Sequence, residues 1–123
     1  MGNAFSCVAC TSKPMTVKAN QGAIFGWNQT QQQAVTATWT VKKKCQVLAF
    51  SLIDSSSDGD LQNVSGYVRL NGTEAPGRIT SAWYKASGAY MFQAQPGDVV
   101  TAFSQAKTTT GYGAVNACIL TDE

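Results

Sequence analysis

The sequence predicts an all-β fold, an antiparallel β-sandwich of about eight strands with a jelly-roll-like layout. Three observations predict it. Apolar residues recur with period two rather than 3.6. Turn-forming pairs, Asn71-Gly72, Pro76-Gly77 and Pro96-Gly97, punctuate the chain at short intervals. No stretch reads as a helix of three turns. The 123 residues suit one domain around one hydrophobic core.

Met1 to Pro14 lacks a period and reads as an N-terminal arm, which leaves residues 15–123 as the sandwich. Weak runs at Met15 to Ala19 and Ala23 to Trp27 open the domain. Val35, Ala37, Trp39 and Val41 then share one face of a strand, with Thr36, Thr38 and Thr40 on the other. Cys45 to Ile53 is apolar on both faces, as a central strand would be. Only Lys42-Lys43-Lys44 separates these two runs, so a hairpin is expected. Asp54 to Asp60 reads as a loop. Val64 to Asn71 is a strand with Val64, Val68 and Leu70 on one side, closed by the tight-turn pair Asn71-Gly72. Ile79 to Tyr84 and Ala89 to Gln95 follow, with a break expected near Ser87-Gly88. Beyond the Pro96-Gly97-Asp98 turn come a strand at Val99 to Ser104 and a polar loop at Lys107 to Gly113. The last strand is Tyr112 to Thr121, with Val115, Ala117 and Ile119 in register.

Charged residues make up 13% of the chain, against a usual share of about 25%. The exterior is therefore built mainly from Ser, Thr, Asn and Gln, which suits burial in an assembly or contact with a neutral polar ligand. The net charge is +2, and the one basic run is Lys42-Lys43-Lys44. A run that short is a solvated turn and not a stripe that tracks a nucleic-acid backbone, so no nucleic-acid partner is expected. No apolar run reaches the roughly 20 residues that a membrane-spanning helix needs. Met1 to Lys18 has no basic segment followed by a long apolar one, so synthesis in the cytoplasm of the cell that makes it, without a Sec leader, is expected. On that reading the sequons at Asn28, Asn63 and Asn71 carry no sugar.

Bond-making chemistry is poorly supplied. There is no histidine, and the seven acids fall mostly in turns or at the end of the chain, so no enzyme is expected. Asp54, Asp58 and Asp60 in the DSSSDGD stretch form a weak calcium-loop candidate. The terminal Glu of such a loop is missing, and a solvated loop is preferred. Cys7 and Cys10 have CxxC spacing without the second close pair or histidines of a zinc site, so neither metal nor cofactor is expected. Cys45 and Cys118 lie in apolar strands and read as reduced, buried small hydrophobes. Gly2 and Ser6 fit the N-myristoylation pattern, and Cys7 or Cys10 could add a second acyl chain. That would describe a lipid-anchored protein of a eukaryotic cell or its virus; the plainer reading is a docking arm. Trp83, Tyr84 and Tyr112 are candidate ligand-stacking residues for a surface glycan. Trp83 and Tyr84 point to opposite faces of one strand, and Tyr112 lies between two glycines. Trp39 alternates with Val35 and Val41 and reads as core.

From Trp39 to Phe103 the chain resembles a small β-sandwich found in phage head fibres, decoration proteins and tail adhesins. The residues that carry the likeness are Trp39-Thr-Val41, Cys45-Gln-Val-Leu-Ala49, Gly66-Tyr-Val-Arg-Leu-Asn-Gly72 and Gln95-Pro-Gly-Asp-Val-Val100. The resemblance implies a homotrimer on a virion, an arm that holds the particle through a capsid or other virion protein, and a distal head. The chain lacks a shaft or repeat, which favours a compact decoration or fibre-head module. A lectin-like adhesin is the alternative.

Overall fold

A computed structural model describes residues 13–25, 31–55, 61–75, 78–81, 86–108 and 113–123. Those residues form nine strands: β1 (Thr16–Phe25), β2 (Gln31–Thr40), β3 (Cys45–Ser55), β4 (Leu61–Leu70), β5 (Thr73–Glu74), β6 (Arg78–Ser81), β7 (Ala86–Ala94), β8 (Val99–Thr108) and β9 (Gly113–Thr121). Among the described residues there is no helix. The expected all-β class is thus observed. The strands form two antiparallel sheets, with order β1-β9-β3-β7-β6 in the larger and β2-β8-β4-β5 in the smaller. The pairs are nested around the β4–β5 turn: β5 pairs β4, β7 pairs β3, β8 pairs β2 and β9 pairs β1. Two further ladders, β3 with β9 and β4 with β8, join neighbouring pairs into sheets.

Alternation explains which side chains are inside. On β2, Ala37 is buried and Val35 and Trp39 pack against the core, while Thr36, Thr38 and Thr40 are exposed. On β9, Val115, Ala117 and Ile119 are buried, as their register predicts. Ala117 and Ile119 meet Val47, Ala49, Val68, Tyr90, Phe92, Val100 and Ala102 from both sheets. A smaller cluster of Ile53, Ala106 and Val115 lies nearer the other end. A pair of buried serines also lies in the interior. Ser104 Oγ donates to the Asn116 carbonyl at 2.6 Å, which uses its one proton. Ser51 Oγ is therefore the donor in the 2.5 Å bond to Ser104 Oγ.

Of the three turn pairs, Pro76-Gly77 lies outside the described residues, and the other two form as expected. Asn71 and Gly72 have φ of 53° and 84°, the positive pair that a type I′ turn requires. Gly97 has φ of 91°, and Asp98 N–H donates to the Gln95 carbonyl at 3.1 Å, a type II arrangement with Pro96 leading. The two turns are tied together: the Asn71 amide donates to Asp98 Oδ1 at 2.9 Å, and its oxygen accepts from Val99 N–H at 2.8 Å. Asn71, read as a sequon, thus has its side chain engaged in structure. A Cβ added at Gly72 or Gly97 would meet open space. The cost of Gly72→Ala or Gly97→Ala is then purely conformational, about 1–2 kcal/mol each. Urea titration of either variant should show a lower midpoint with an unchanged slope.

Several local expectations are corrected. β2 and β3 do not form a hairpin; they lie in different sheets, and Lys42-Lys43-Lys44 carries the chain across the sandwich. The β2 edge is instead matched over its length by β8, a distant strand of like pattern. The two weak opening runs are one strand, β1, with a register shift at Val17/Ala19. Ser87 and Gly88 do not break a strand; they pair with Leu52 and Ser51 inside β7. β8 continues to Thr108, past the expected start of the Lys107–Gly113 loop. Asp54 belongs to β3 and not to a loop. Val64 is 42% exposed although Val68 on the same strand is buried, because β4 shifts register between Gln62 and Ser65.

Candidate functional site

The residues singled out in the sequence are not brought together. Gly2, Ser6, Cys7, Cys10, Asp58, Asp60, Trp83, Tyr84 and Tyr112 lie outside the described residues. Asp54 is exposed on β3, opposite Ala114 of β9. Among the described residues no group of three His, Cys, Asp or Glu side chains could hold a metal ion. Among them, too, no helix is long and apolar enough to cross a membrane. Cys45 and Cys118 are free and buried. Cys45 belongs to the core, whereas Cys118 pairs with Phe50 on the opposite face of the same sheet. Burial pushes the Cys45 thiol up, helped by the Glu123 and Asp122 charges and opposed by Lys13 and Lys18. Burial also pushes the Cys118 thiol up, against an opposing hydrogen bond at the Ile119 backbone. Both therefore stay protonated and unreactive near neutral pH.

The two outer faces of the sandwich differ sharply. The small sheet presents Thr36, Thr38 and Thr40 from β2, Thr101 and Gln105 from β8, and Ser65 and Arg69 from β4. Within this polar field Tyr67 and Phe103 face each other across β4 and β8, stacked with ring centroids 4.9 Å apart. The Arg69 guanidinium lies 3.9 Å from the Tyr67 ring centre. Alternation places all three side chains on one face, two residues apart along β4 and directly opposite on β8.

The large sheet is apolar outside. Register sets Val17, Leu120, Leu48 and Met91 side by side across β1, β9, β3 and β7. Cys118, Phe50 and Ala89 form the next row, then Asn116 beside Leu52, then Ile24 beside Ala114. Val17 is 57% exposed, Ile24 64%, Leu52 44% and Met91 37%. The run Cys45 to Ile53 is apolar on both faces, the pattern of a central strand. It is central, but its Leu48, Phe50 and Leu52 side faces outward.

At one end of the sandwich, lysines gather around Trp39. The β1 register shift leaves Lys18 without a ladder partner, and its ammonium lies 5.5 Å from the Trp39 ring centre. Lys42 approaches the same ring at 5.1 Å. Glu123 holds this end closed. Its carboxylate accepts from Trp39 Nε1 at 2.7 Å, from Lys42 N–H at 3.0 Å and from Lys43 N–H at 3.4 Å. Next to it, Asp122 accepts from Gln46 N–H at 2.7 Å. Burial pushes the Glu123 carboxyl up, but the hydrogen bonds from Lys42, Trp39 and Lys43 and the Lys18 charge outweigh it, and the net shift is downward. Asp98 is lowered as well, by the Gln95 N–H and then by the Asn71 amide. A carboxylate lowered on folding stabilises the fold above its unfolded pKa, about 4.3 for glutamate, and that contribution is lost as pH falls through the lowered value. The urea midpoint should therefore drop in acid below that range. Glu123→Gln should be less stable at neutral pH and show a smaller acid drop, keeping the part that Asp98 supplies.

Comparison with known protein families, curated proteins and solved structures finds no match to the chain.

Sequence reasoning missed Tyr67, Arg69, Phe103 and Glu123. Tyr67 and Phe103 carried a usable signal, since each occupies the outward position of an alternating strand. Their pairing did not, because the strands that join them are far apart in sequence.

Proposed function

We propose that the protein is a non-enzymatic virion structural module, of decoration or fibre-head type, and that its sandwich is a jelly roll with one added strand. The nested strand order carries this reading. Four concentric pairs, β1·β9, β2·β8, β3·β7 and β4·β5, rolled so that β9 meets β3 and β8 meets β4, are what a jelly roll of two four-stranded sheets requires, with β6 added beside β7. Jelly rolls serve in viral capsid and lectin domains as rigid frames whose outer surfaces do the recognising. On this reading the module works through contacts with copies of itself and with a capsid or other virion protein. The test is fractionation of particles from the cells that make the protein. Banded, nuclease-resistant particles should contain the chain; recovery only in the unsedimented fraction overturns the reading.

A lectin-like adhesin is the second reading, favoured by the Arg69–Tyr67–Phe103 stack among hydroxyl and amide side chains. A glycan array should then give a signal that Tyr67→Ala removes. A blank array discards this reading.

A further inference from the structure

We propose that the outer face of the five-stranded sheet is the surface through which copies of this chain bind one another. The proposal rests on the assembly reading and names the site that would serve it.

The contrast between the two sheets is the first ground. An antiparallel sheet with one face in water normally alternates apolar inside and polar outside. The small sheet does so along β2, with Thr36, Thr38 and Thr40 outermost, and its outward apolar side chains are Val99 and the stacked Tyr67 and Phe103 beside Arg69. The large sheet does not: Val17, Leu120, Leu48 and Met91 form one outward apolar row, with Phe50 and Leu52 following outward along β3.

Area is the second ground. Four strands at roughly 4.8 Å spacing and about seven residues at roughly 3.4 Å rise give a footprint of about 450 Å². That footprint includes the polar Asn20, Asn116 and Asp54 as well as the apolar rows, and the largest apolar patch on a monomer, often functional, covers about 300–600 Å². The footprint also supplies over half of the roughly 800 Å² that each partner gives to a standard interface.

The rim decides the occupant. Gln46 and Gln93, an opposed pair, border the patch at one end, Asn20 lies on the β1 edge, and Asn116 stands within the patch on β9, between Gly22 and Leu52. An apolar centre with a polar rim is the anatomy of a protein interface. Each amide both donates and accepts, so a rim of amides can meet its own copy without conflict. A rim of like charges could not. Two acids stand at opposite margins: Asp54 opposite Ala114, and Asp122 beside Gln46, whose N–H donates to its carboxylate.

Sedimentation velocity of the full chain at micromolar concentration tests the proposal. The unaltered protein should sediment as two or more copies. Leu52→Asp and, separately, Met91→Lys should each weaken self-association about thirtyfold or more, as loss of a hot-spot side chain does. Thr38→Asp on the small sheet should leave the mass unchanged. Circular dichroism identifies the variants that fold. A monomeric unaltered protein overturns the proposal, including the case in which its own N-terminal residues cover the face. So does an oligomer that survives both folded variants, or one that Thr38→Asp dissociates equally. A monomer that still bands with particles overturns this interface and leaves the assembly reading standing. An oligomer that never bands with particles does the reverse.

Discussion

Tyr90→Ala should lower stability by about 3–5 kcal/mol, the usual range when a large buried aromatic is truncated. Tyr90 is 2% exposed and is the bulkiest fully buried side chain among the described residues. It enters from β7, opposite Ala49 of β3, and its hydroxyl donates to Glu74 Oε1 on β5 at 3.1 Å. One residue thus spans the space between the sheets and ties the large sheet to the margin of the small one. Removing the ring opens a cavity lined by side chains from both layers. A domain of ordinary stability, about 5–15 kcal/mol, would lose a large part of its margin. Tyr90→Phe keeps the ring and loses only the hydroxyl, so its cost should be about 1 kcal/mol. Guanidinium titration of both variants separates the two contributions, and equal midpoints would show that the ring contributes little.

Gly66→Ala should be nearly as damaging for a different reason. Gly66 faces inward from β4, where the two sheets approach closely. A Cβ there would overlap Ser51 Oγ and come within 3.3 Å of Ser51 Cβ. Overpacking of this kind costs about 1–3 kcal/mol. Displacing Ser51 would also disturb the hydroxyl chain that runs through Ser104 to the Asn116 carbonyl. Ser51→Gly should relieve the overlap. In a double-mutant cycle the pair should then couple by about 1 kcal/mol or more. Simple additivity of the two losses would refute the close-approach account.

Local chemistry was the most legible part of the fold. Asn71-Gly72 and Pro96-Gly97 marked their turns because positive φ and a fixed Pro φ are properties of those residues alone. The alternation in β2 and β9 marked their inner faces for the same reason. Partner choice was illegible. Val35–Val41 lies close in sequence to Cys45–Ile53, yet pairs with β8, since nothing local distinguishes a link that turns back from one that crosses to the other sheet. Nor does hydropathy separate a residue buried in the core from one facing out beneath a potential partner. Leu48, Phe50 and Leu52 therefore read as interior. Of the candidate site residues, only Asp54 falls among the described ones, and it stands near the end of β3.

The nested order also imposes a schedule on synthesis. Thr16 of the first strand is matched to Thr121 of the last, and β9 lies between β1 and β3. While the chain is still being made, therefore, β1 and β3 each have an open flank where β9 will later insert. Closure waits for β9 to leave the ribosome, several seconds after β1 emerges at about 5–20 residues per second. During that interval the unfilled slot can accept a strand from a neighbouring nascent chain, an exchange that the finished molecule no longer permits.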